Sequence, residues 1–227
     1  MTDTGSSHRE AIYLASRSPR RLDLLKQIGL HATQIPGDTD ETRRPGESPE
    51  SYVRRVAIEK ARTGLAGLHE AALRPVLAAD TAVVVGDETL GKPHDRESAA
   101  RMLRMLSGRQ HRVLTAVALI SGECELSDLS DSRVTFRHLE ESEVVRYWLS
   151  GEPRGKAGGY AIQGYGALFV AELRGSYSGV MGLPLFETGR LLSAMGIDVV
   201  ASASRGVITG DADELSINPV NHRHRWR

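Results

Sequence analysis

Eight of the ten residues from Val76 to Val85 are apolar, and the run reads as a β-strand buried on both faces. Only Asp80 and Thr81 interrupt it. Such a strand has to be covered by other elements on both sides, and a carboxylate inside it has to be paired, hydrogen-bonded or metal-bound, because an isolated buried charge is too costly. The chain therefore has to cover this run on both faces and find Asp80 a partner.

Helical and strand patterns alternate around it. The apolar run Ala11 to Ala15 predicts a buried strand. Ser18 stands at a helix N-cap and Pro19 at the first helical position, and Leu22, Leu25 and Ile28 mark one face before Gly29 ends the helix. A second helix opens at Ser48-Pro49 and runs through Val53, Val56, Ala57 and Ala61 toward Gly67. Lys60 falls on that apolar face, so its ammonium should reach a carboxylate or a ligand. After the Val76–Val85 strand come a helix capped by Asp95 and ending before Gly108, and strands near Val113–Ile120 and Arg133–Leu139. A helix over Ser142–Leu149 follows, then glycine-rich turns and short strands over 151–182, and a helix from Pro184 to Gly196. Ile197–Val200 is expected to close the sheet. No internal repeat appears, and no linker rich in Pro, Gly or Ser divides the chain.

Composition narrows the function. With 29 basic and 29 acidic residues the net charge is zero, so no global field draws the protein to nucleic acid or to a membrane surface. Binding must come from a local site. The single Cys124 excludes an internal disulfide framework and a cysteine-only zinc site, and it reads as an inert, half-buried thiol between two strands. The N-terminus lacks the apolar stretch of a signal peptide or anchor, so a cytoplasmic protein is expected. The eight histidines show no metal-ligand spacing, and His222 and His224 fall in an Arg-rich terminus.

The chain has only four lysines among its 29 basic residues, and three of them stand in dense clusters: Ile58-Glu59-Lys60-Ala61, Leu90-Gly91-Lys92-Pro93 and Arg154-Gly155-Lys156-Ala157-Gly158-Gly159. A compact ammonium on a flexible stem suits a phosphate oxygen or a carboxylate beside a metal; the bland alternative is leftover surface lysine. Ser16-Arg17-Ser18-Pro19-Arg20-Arg21 places two hydroxyls and two guanidiniums at a helix N-terminus. That is a phosphate cradle, or a capped helix with solvated arginines. The acidic run Asp38-Thr39-Asp40-Glu41 either supplies a hard oxygen ligand or is a solvated loop. Carboxylates beside phosphate-binding cations suit a magnesium-dependent nucleotide site, since Mg²⁺ usually takes one or two protein carboxylates plus substrate oxygens. The glycines around Tyr160-Ala161-Ile162-Gln163-Gly164 permit close backbone approach to a ligand or simply serve tight turns. The carboxamide of Gln163 can donate and accept side by side, as the O4 and N3–H of uracil or thymine require.

Taken together, these stretches resemble the Maf-type nucleoside triphosphate pyrophosphatases, and within them the branch acting on dTTP and UTP. The matching segments are Leu14-Ala15-Ser16-Arg17-Ser18-Pro19-Arg20-Arg21, Pro45-Gly46-Glu47-Ser48-Pro49, Glu59-Lys60-Ala61, Ala79-Asp80-Thr81, Gly91-Lys92-Pro93, Met105-Leu106-Ser107-Gly108 through Thr115-Ala116-Val117, Gly155-Lys156-Ala157-Gly158, Ile162-Gln163-Gly164 and Gly182-Leu183-Pro184. The resemblance implies an α/β fold, an elongated mixed β-sheet flanked by helices in two lobes with a central nucleotide cleft, like inosine triphosphate pyrophosphatases. It implies hydrolysis between the α and β phosphates with a divalent cation, Mg²⁺ or Mn²⁺. Carried across by motif position, Asp80 matches the proton acceptor, and Arg20, Thr81 and Gln163 match positions that select the pyrimidine. Ser16, Arg21, Glu41, Lys60, Lys92 and Lys156 match the polar shell around phosphates and metal, with Glu41 and Asp80 toward the metal. Arg17 replaces a more usual small residue between the serines. The chain then divides into a leader over 1–10, a pyrophosphatase domain over 11–204 and a tail over 205–227, with a nucleoside triphosphate as partner, neither nucleic acid nor membrane, and room for a homodimer. Two rivals are the sister branch acting on 7-methyl-GTP, from which Ile162-Gln163-Gly164 separates this chain, and a non-catalytic nucleotide-binding regulator of septum formation. A buried Asp80 beside three lysines favours turnover over the non-catalytic reading, because a mere binder of an anion gains nothing from a buried carboxylate.

Overall fold

The computed structural model describes residues 11–68 and 74–200. The expected leader and tail, with His222 and His224, lie outside the described residues. In chain order the elements are β1 (Ile12–Ala15), α1 (Pro19–Gln27), β2 (Ala32–Ile35), α2 (Pro49–Ala66), β3 (Val76–Val85), β4 (Glu88–Leu90), α3 (Arg96–Leu106), β5 (Gln110–Ser121), β6 (Cys124–Phe136), α4 (Glu141–Leu149), β7 (Val170–Arg174), α5 (Tyr177–Met181) and α6 (Leu185–Ala194). Two 3-10 turns, Ala157–Gly159 and Tyr165–Phe169, fill the stretch between α4 and β7. One seven-stranded sheet runs β2-β1-β3-β5-β6-β7, with β4 added to β3. The β2-β1-β3 pairs are parallel and the rest antiparallel, so the sheet is mixed.

Strand alternation sends successive side chains of β3 to opposite faces. Val76, Ala78, Ala82 and Val84 pack with Val53, Ala57 and Ala61 of α2. On the other face, Leu77 and Ala79 join Leu24 and Leu25 of α1 and Leu191 and Leu192 of α6. Farther along that same face, Val83 packs with Met102, Leu103 and Leu106 of α3 and Val144 of α4. Two cores thus share one face of the long strands and define two lobes. Thr81 of β3 and Thr115 of β5, paired in register, occupy the saddle between them.

The edge of β3 away from β5 is interrupted. β1 pairs there with Val76 and Leu77, and β4 pairs with Val83, Val84 and Val85. Residues 78–82 have no strand on that edge among the described residues. Asp80 points to the α2 face and Thr81 to the saddle, yet both open onto the same gap.

The helices begin and end close to where their caps predict. Ser48 accepts a hydrogen bond from the Ser51 amide at 3.2 Å, and Asp95 forms a capping box with Ser98. Other expectations need correction. β2 and β4 are strands of four and three residues that no long apolar pattern announces. β6 begins at Cys124, not near Arg133, because its first half alternates with polar residues and pairs with β5 through a turn at Gly122. Cys124 is exposed at the start of that strand rather than half-buried. Ile197–Val200 is not a strand: Ile197 and Val199 pack against the core of α1 and α6, and residues 199–200 are helical. Among the described residues, no helix is long and apolar enough to cross a membrane.

One buried titratable group lies in the second lobe. His111 of β5 is 2% exposed. Its Nε2 is 2.8 Å from the Tyr160 hydroxyl, and Nδ1 has no partner among the described residues. Burial lowers its pKa from 6.5 to about 4. The unfolded chain therefore takes up a proton that the folded chain refuses, so this contribution to stability is intact above pH 6.5 and is lost as pH falls toward 4. Urea denaturation should show wild type losing roughly 2 to 3 kcal/mol more between pH 7.5 and 4.5 than His111→Phe does. Equal acid losses in the two proteins would mean that the buried imidazole does not set the acid slope.

Candidate active site

The gap in β3 opens into a cleft of about 630 Å³ between the lobes. Ser16, Arg20 and Arg21 line one side, Asp80, Thr81 and Lys60 the floor, and Lys92, Arg154, Lys156 and Tyr160 the other side. The loop after β1 enters it because Pro19 starts α1 without needing an amide partner. Ser18 occupies the N-cap but its hydroxyl makes no cap hydrogen bond; the Ser18 amide instead donates to Ser16 Oγ at 3.2 Å. Among the described residues the cap side chain does not engage the first-turn amides of α1, which leaves them available to an anion.

On the floor, Lys60 Nζ lies 2.8 Å from Asp80 Oδ1 and 2.6 Å from Glu41 Oε1. Lys92 Nζ reaches the other oxygen of Glu41 at 3.1 Å. Two carboxylates thus share one ammonium. Burial pushes Asp80 above the usual carboxylate range, with the charges of Lys60 and Arg21 opposing it. Burial also acts on Glu41, but hydrogen bonds and charge from Lys60 and Lys92 outweigh it and hold Glu41 below its ordinary value. The loop bearing Glu41 is anchored at its backbone, where the Tyr52 hydroxyl donates to the Glu41 carbonyl at 2.9 Å. It is braced further by Arg55, which donates to both oxygens of Glu47 at 2.7 and 2.9 Å and to the Thr42 carbonyl at 3.0 Å.

The remaining cations behave differently. Arg20 and Lys156 come from opposite lobes, and neither forms a side-chain hydrogen bond or ion pair among the described residues. Burial lowers the pKa of both, and the charge of Arg20 lowers that of Lys156 further. Two unpaired, mutually repelling cations at one opening are relieved by a polyanion. Gly158 lets the Lys156 turn approach the sheet: a Cβ there would lie 2.9 Å from Val83 Cγ2, and its φ of +69° suits glycine. Arg21 is committed to the protein. Its Nε donates to the Gly182 carbonyl at 2.7 Å, and its two terminal nitrogens donate to Ser16 Oγ at 3.1 Å and Thr81 Oγ1 at 3.4 Å.

The sequence matches the family described as Maf-like protein over residues 11–195. This chain belongs to the Maf-like family. It is 55% identical to a dTTP/UTP pyrophosphatase of Alkalilimnicola ehrlichii over 84% of this chain and 96% of that one. It is 52% identical to a dTTP/UTP pyrophosphatase of Pseudoalteromonas atlantica over 82% and 97% of the two chains. The solved structure of the Staphylococcus aureus Ham1 protein aligns with a TM-score of 0.38 and 16% identity, covering 57% of this chain and 72% of that one.

Nine of the ten residues singled out from the sequence of this Maf-like protein line the cleft: Ser16, Arg20, Arg21, Glu41, Lys60, Asp80, Thr81, Lys92 and Lys156. Gln163 does not. It is exposed on the turn that follows Ile162, outside the lining residues. That turn is clamped by Glu152, which accepts from the Tyr147 hydroxyl at 2.6 Å and from the amides of Tyr165 and Gly166 at 2.8 and 2.9 Å. Glu152, Arg154 and Tyr160 are not among the residues that the sequence singles out; Arg154 is visible as the cation next to Gly155-Lys156, while Glu152 gives no signal before the turn is folded.

Removing the shared ammonium tests the electrostatics directly. A folded-state pKa above the ordinary carboxylate value means that ionised Asp80 weighs against folding as pH rises through that value, and Lys60 offsets this. Lys60→Met should therefore destabilise by roughly 3 kcal/mol at pH 8, as stripping a partner from a buried charge does, and by clearly less at pH 5, where Asp80 can protonate. Chemical denaturation at the two pH values checks this. The same cost at both would show that Lys60 is not offsetting the Asp80 charge.

Proposed function

We propose that this protein hydrolyses dTTP and UTP to the nucleoside monophosphate and pyrophosphate. The observation that carries the reading is the pairing of zones in one cleft: Asp80, Glu41 and Lys60 held together on the floor, and the unpaired cations Arg20 and Lys156 at the opening. A triphosphate supplies the negative charge that the second zone lacks and brings its α-phosphorus toward the first. The two relatives compared above carry dTTP/UTP pyrophosphatase as their name, and the same reaction suits these residues.

The residues also suit a divalent cation. Among the described residues no group of three or more His, Cys, Asp and Glu forms a metal cage. Mg²⁺ and Mn²⁺ bound through substrate phosphates need only one or two protein carboxylates, and Asp80 and Glu41 already meet at one ammonium, a position of concentrated negative charge. When bound there, the cation supplies charge neutralisation and polarisation of phosphate oxygens. The chain's own groups do the rest. Asp80 Oδ1 is held by Lys60, whereas Oδ2 has no hydrogen-bond partner among the described residues and is the oxygen free to take a proton. The oxygen of water bonds to the α-phosphorus, its proton passes to Asp80, and the bond from that phosphorus to the bridging oxygen breaks, its electron pair leaving with pyrophosphate. Lys92, Arg20 and Lys156 hold the developing charge.

Thr81 lies on the cleft floor and is assigned to the base, whereas Gln163 stands outside the lining and is given no contact with it. Uracil and thymine carry N3–H where cytosine carries a bare N3, so UTP and dTTP should exceed CTP by roughly 10²-fold or more in kcat/KM. A panel of UTP, dTTP, CTP and 7-methyl-GTP, read as phosphate after added pyrophosphatase, checks it; equal turnover of CTP or 7-methyl-GTP would sink the pyrimidine reading, and no turnover at all would leave only a nucleotide binder.

Asp80→Asn keeps the shape and removes the proton acceptor, so the rate on dTTP should fall by roughly 10²-fold or more with binding retained. Activity within threefold of wild type at saturating Mg²⁺ would refute the assigned role. Glu41→Gln should instead raise the Mg²⁺ concentration needed for half-maximal rate, and an unchanged metal requirement would remove Glu41 from the cation site.

A further inference from the structure

Thr115 belongs to one of the matching sequence segments, yet the proposed reaction gives it no task. It is fully buried in the saddle between the two lobes. Register places it opposite Thr81, on the same face of the sheet, and the two hydroxyl oxygens lie 3.0 Å apart. Thr115 Oγ1 also stands 2.8 Å from the Gly179 carbonyl of α5, to which it donates. Gly179 can come that close because it has no side chain: a Cβ there would meet Ser130 Oγ at 2.9 Å.

Counting protons then fixes a direction. A hydroxyl has one hydrogen, and a carbonyl can only accept, so the Thr115 proton is taken by Gly179. The contact between the two threonines is a hydrogen bond only if Thr81 donates to Thr115. Thr81 Oγ1 in turn accepts from the Arg21 guanidinium at 3.4 Å. Its proton is committed inward and one lone pair remains. Thr81 lines the cleft, so toward a ligand it can only accept.

We infer that Thr115 is a specificity-positioning residue: by holding the Thr81 proton, it makes Thr81 an obligate acceptor that reads the N3–H of uracil or thymine and repels the bare N3 of cytosine. The inference rests on the pyrimidine reading given above and adds the reason for its sense. A freely rotating hydroxyl would donate to cytosine as readily as it accepts from uracil, and would discriminate little.

The test compares kcat/KM for UTP and CTP in wild type, Thr115→Val and Thr115→Ser, with thermal melting to establish folding. Thr115→Val removes the acceptor and releases the Thr81 proton, so the UTP-to-CTP ratio should fall at least tenfold. Thr115→Ser restores the hydroxyl and should keep the ratio within threefold of wild type. If the valine variant does not fold, Thr115→Ala removes the same oxygen with less bulk, and the same fall in ratio is expected. A valine or alanine variant that loses UTP and CTP activity in equal proportion, or keeps the wild-type ratio, would overturn the assignment, since a merely structural threonine moves both substrates together. Wild type that fails to separate UTP from CTP would instead overturn the pyrimidine reading itself, and this inference with it.

Discussion

The ammonium of Lys60 is the condition on which the site depends. A carboxylate in the middle of an apolar strand is tolerated only if a partner is brought to it, and the partner must come from the helix packed on that face. α2 supplies it: its Val53, Ala57 and Ala61 seat the helix on β3, and Lys60 on the same stripe is carried down to Asp80 at 2.8 Å. Glu41 then completes a triad on the other side of the same nitrogen, with its loop tied to α2 through Tyr52 and Arg55. A single helix-to-sheet contact thus positions two carboxylates and one cation, each of which would be unfavourable in that place alone.

The cleft separates its positive charges by how they are satisfied. Lys60 and Lys92 already have carboxylates, and Arg21 is spread over a carbonyl and two hydroxyls. Arg20 and Lys156 have none among the described residues, although burial disfavours their charge. Groups of the first kind give the site its shape before any ligand arrives; groups of the second kind are unfavourable until one does. Affinity for a polyanion then comes chiefly from relieving the second set, and preorganisation from the first.

Much of this was legible in the sequence, for reasons that can be stated residue by residue. Asp80 and Lys60 were visible because each breaks an apolar pattern that otherwise predicts burial, and a buried charge announces a partner. Helices α1, α2 and α3 were visible through Ser18-Pro19, Ser48-Pro49 and Asp95. What stayed hidden depends on contacts that no local pattern encodes. β2 and β4 are short and become strands only by pairing with β1 and β3. The first half of β6 is too polar to read as a strand until β5 lies beside it. The apolar residues at 197 and 199 signalled core contact correctly, but core contact does not choose between strand and helix. Arg21 looked like its neighbour Arg20; only the fold shows that one is tied to Gly182 and the other is not. Gln163 carries a chemistry-bearing side chain on a glycine-rich turn, and that turn is held by Glu152, eleven positions earlier, through the amides of Tyr165 and Gly166, which sequence spacing does not reveal.

Adjacent residues of a strand point to opposite faces and ordinarily cannot serve one ligand. Asp80 and Thr81 nevertheless line one cleft here because the sheet is incomplete between β1 and β4 among the described residues, and the open edge lets both faces of β3 look into it. The distance between the Asp80 carboxylate and the Thr81 hydroxyl is then fixed by the backbone of a single dipeptide, within a strand paired to β5 from Val76 to Val84. Few arrangements hold two functional groups more rigidly, since neither a loop nor an interlobe hinge lies between them. A slip of one residue in the β3–β5 register would turn Asp80 into the saddle and Thr81 onto α2, exchanging the two environments at once. The apolar alternation on either side, with Ala78 and Ala82 toward α2 and Ala79 and Val83 away from it, is therefore what keeps Asp80 beside Lys60 and Thr81 in the saddle.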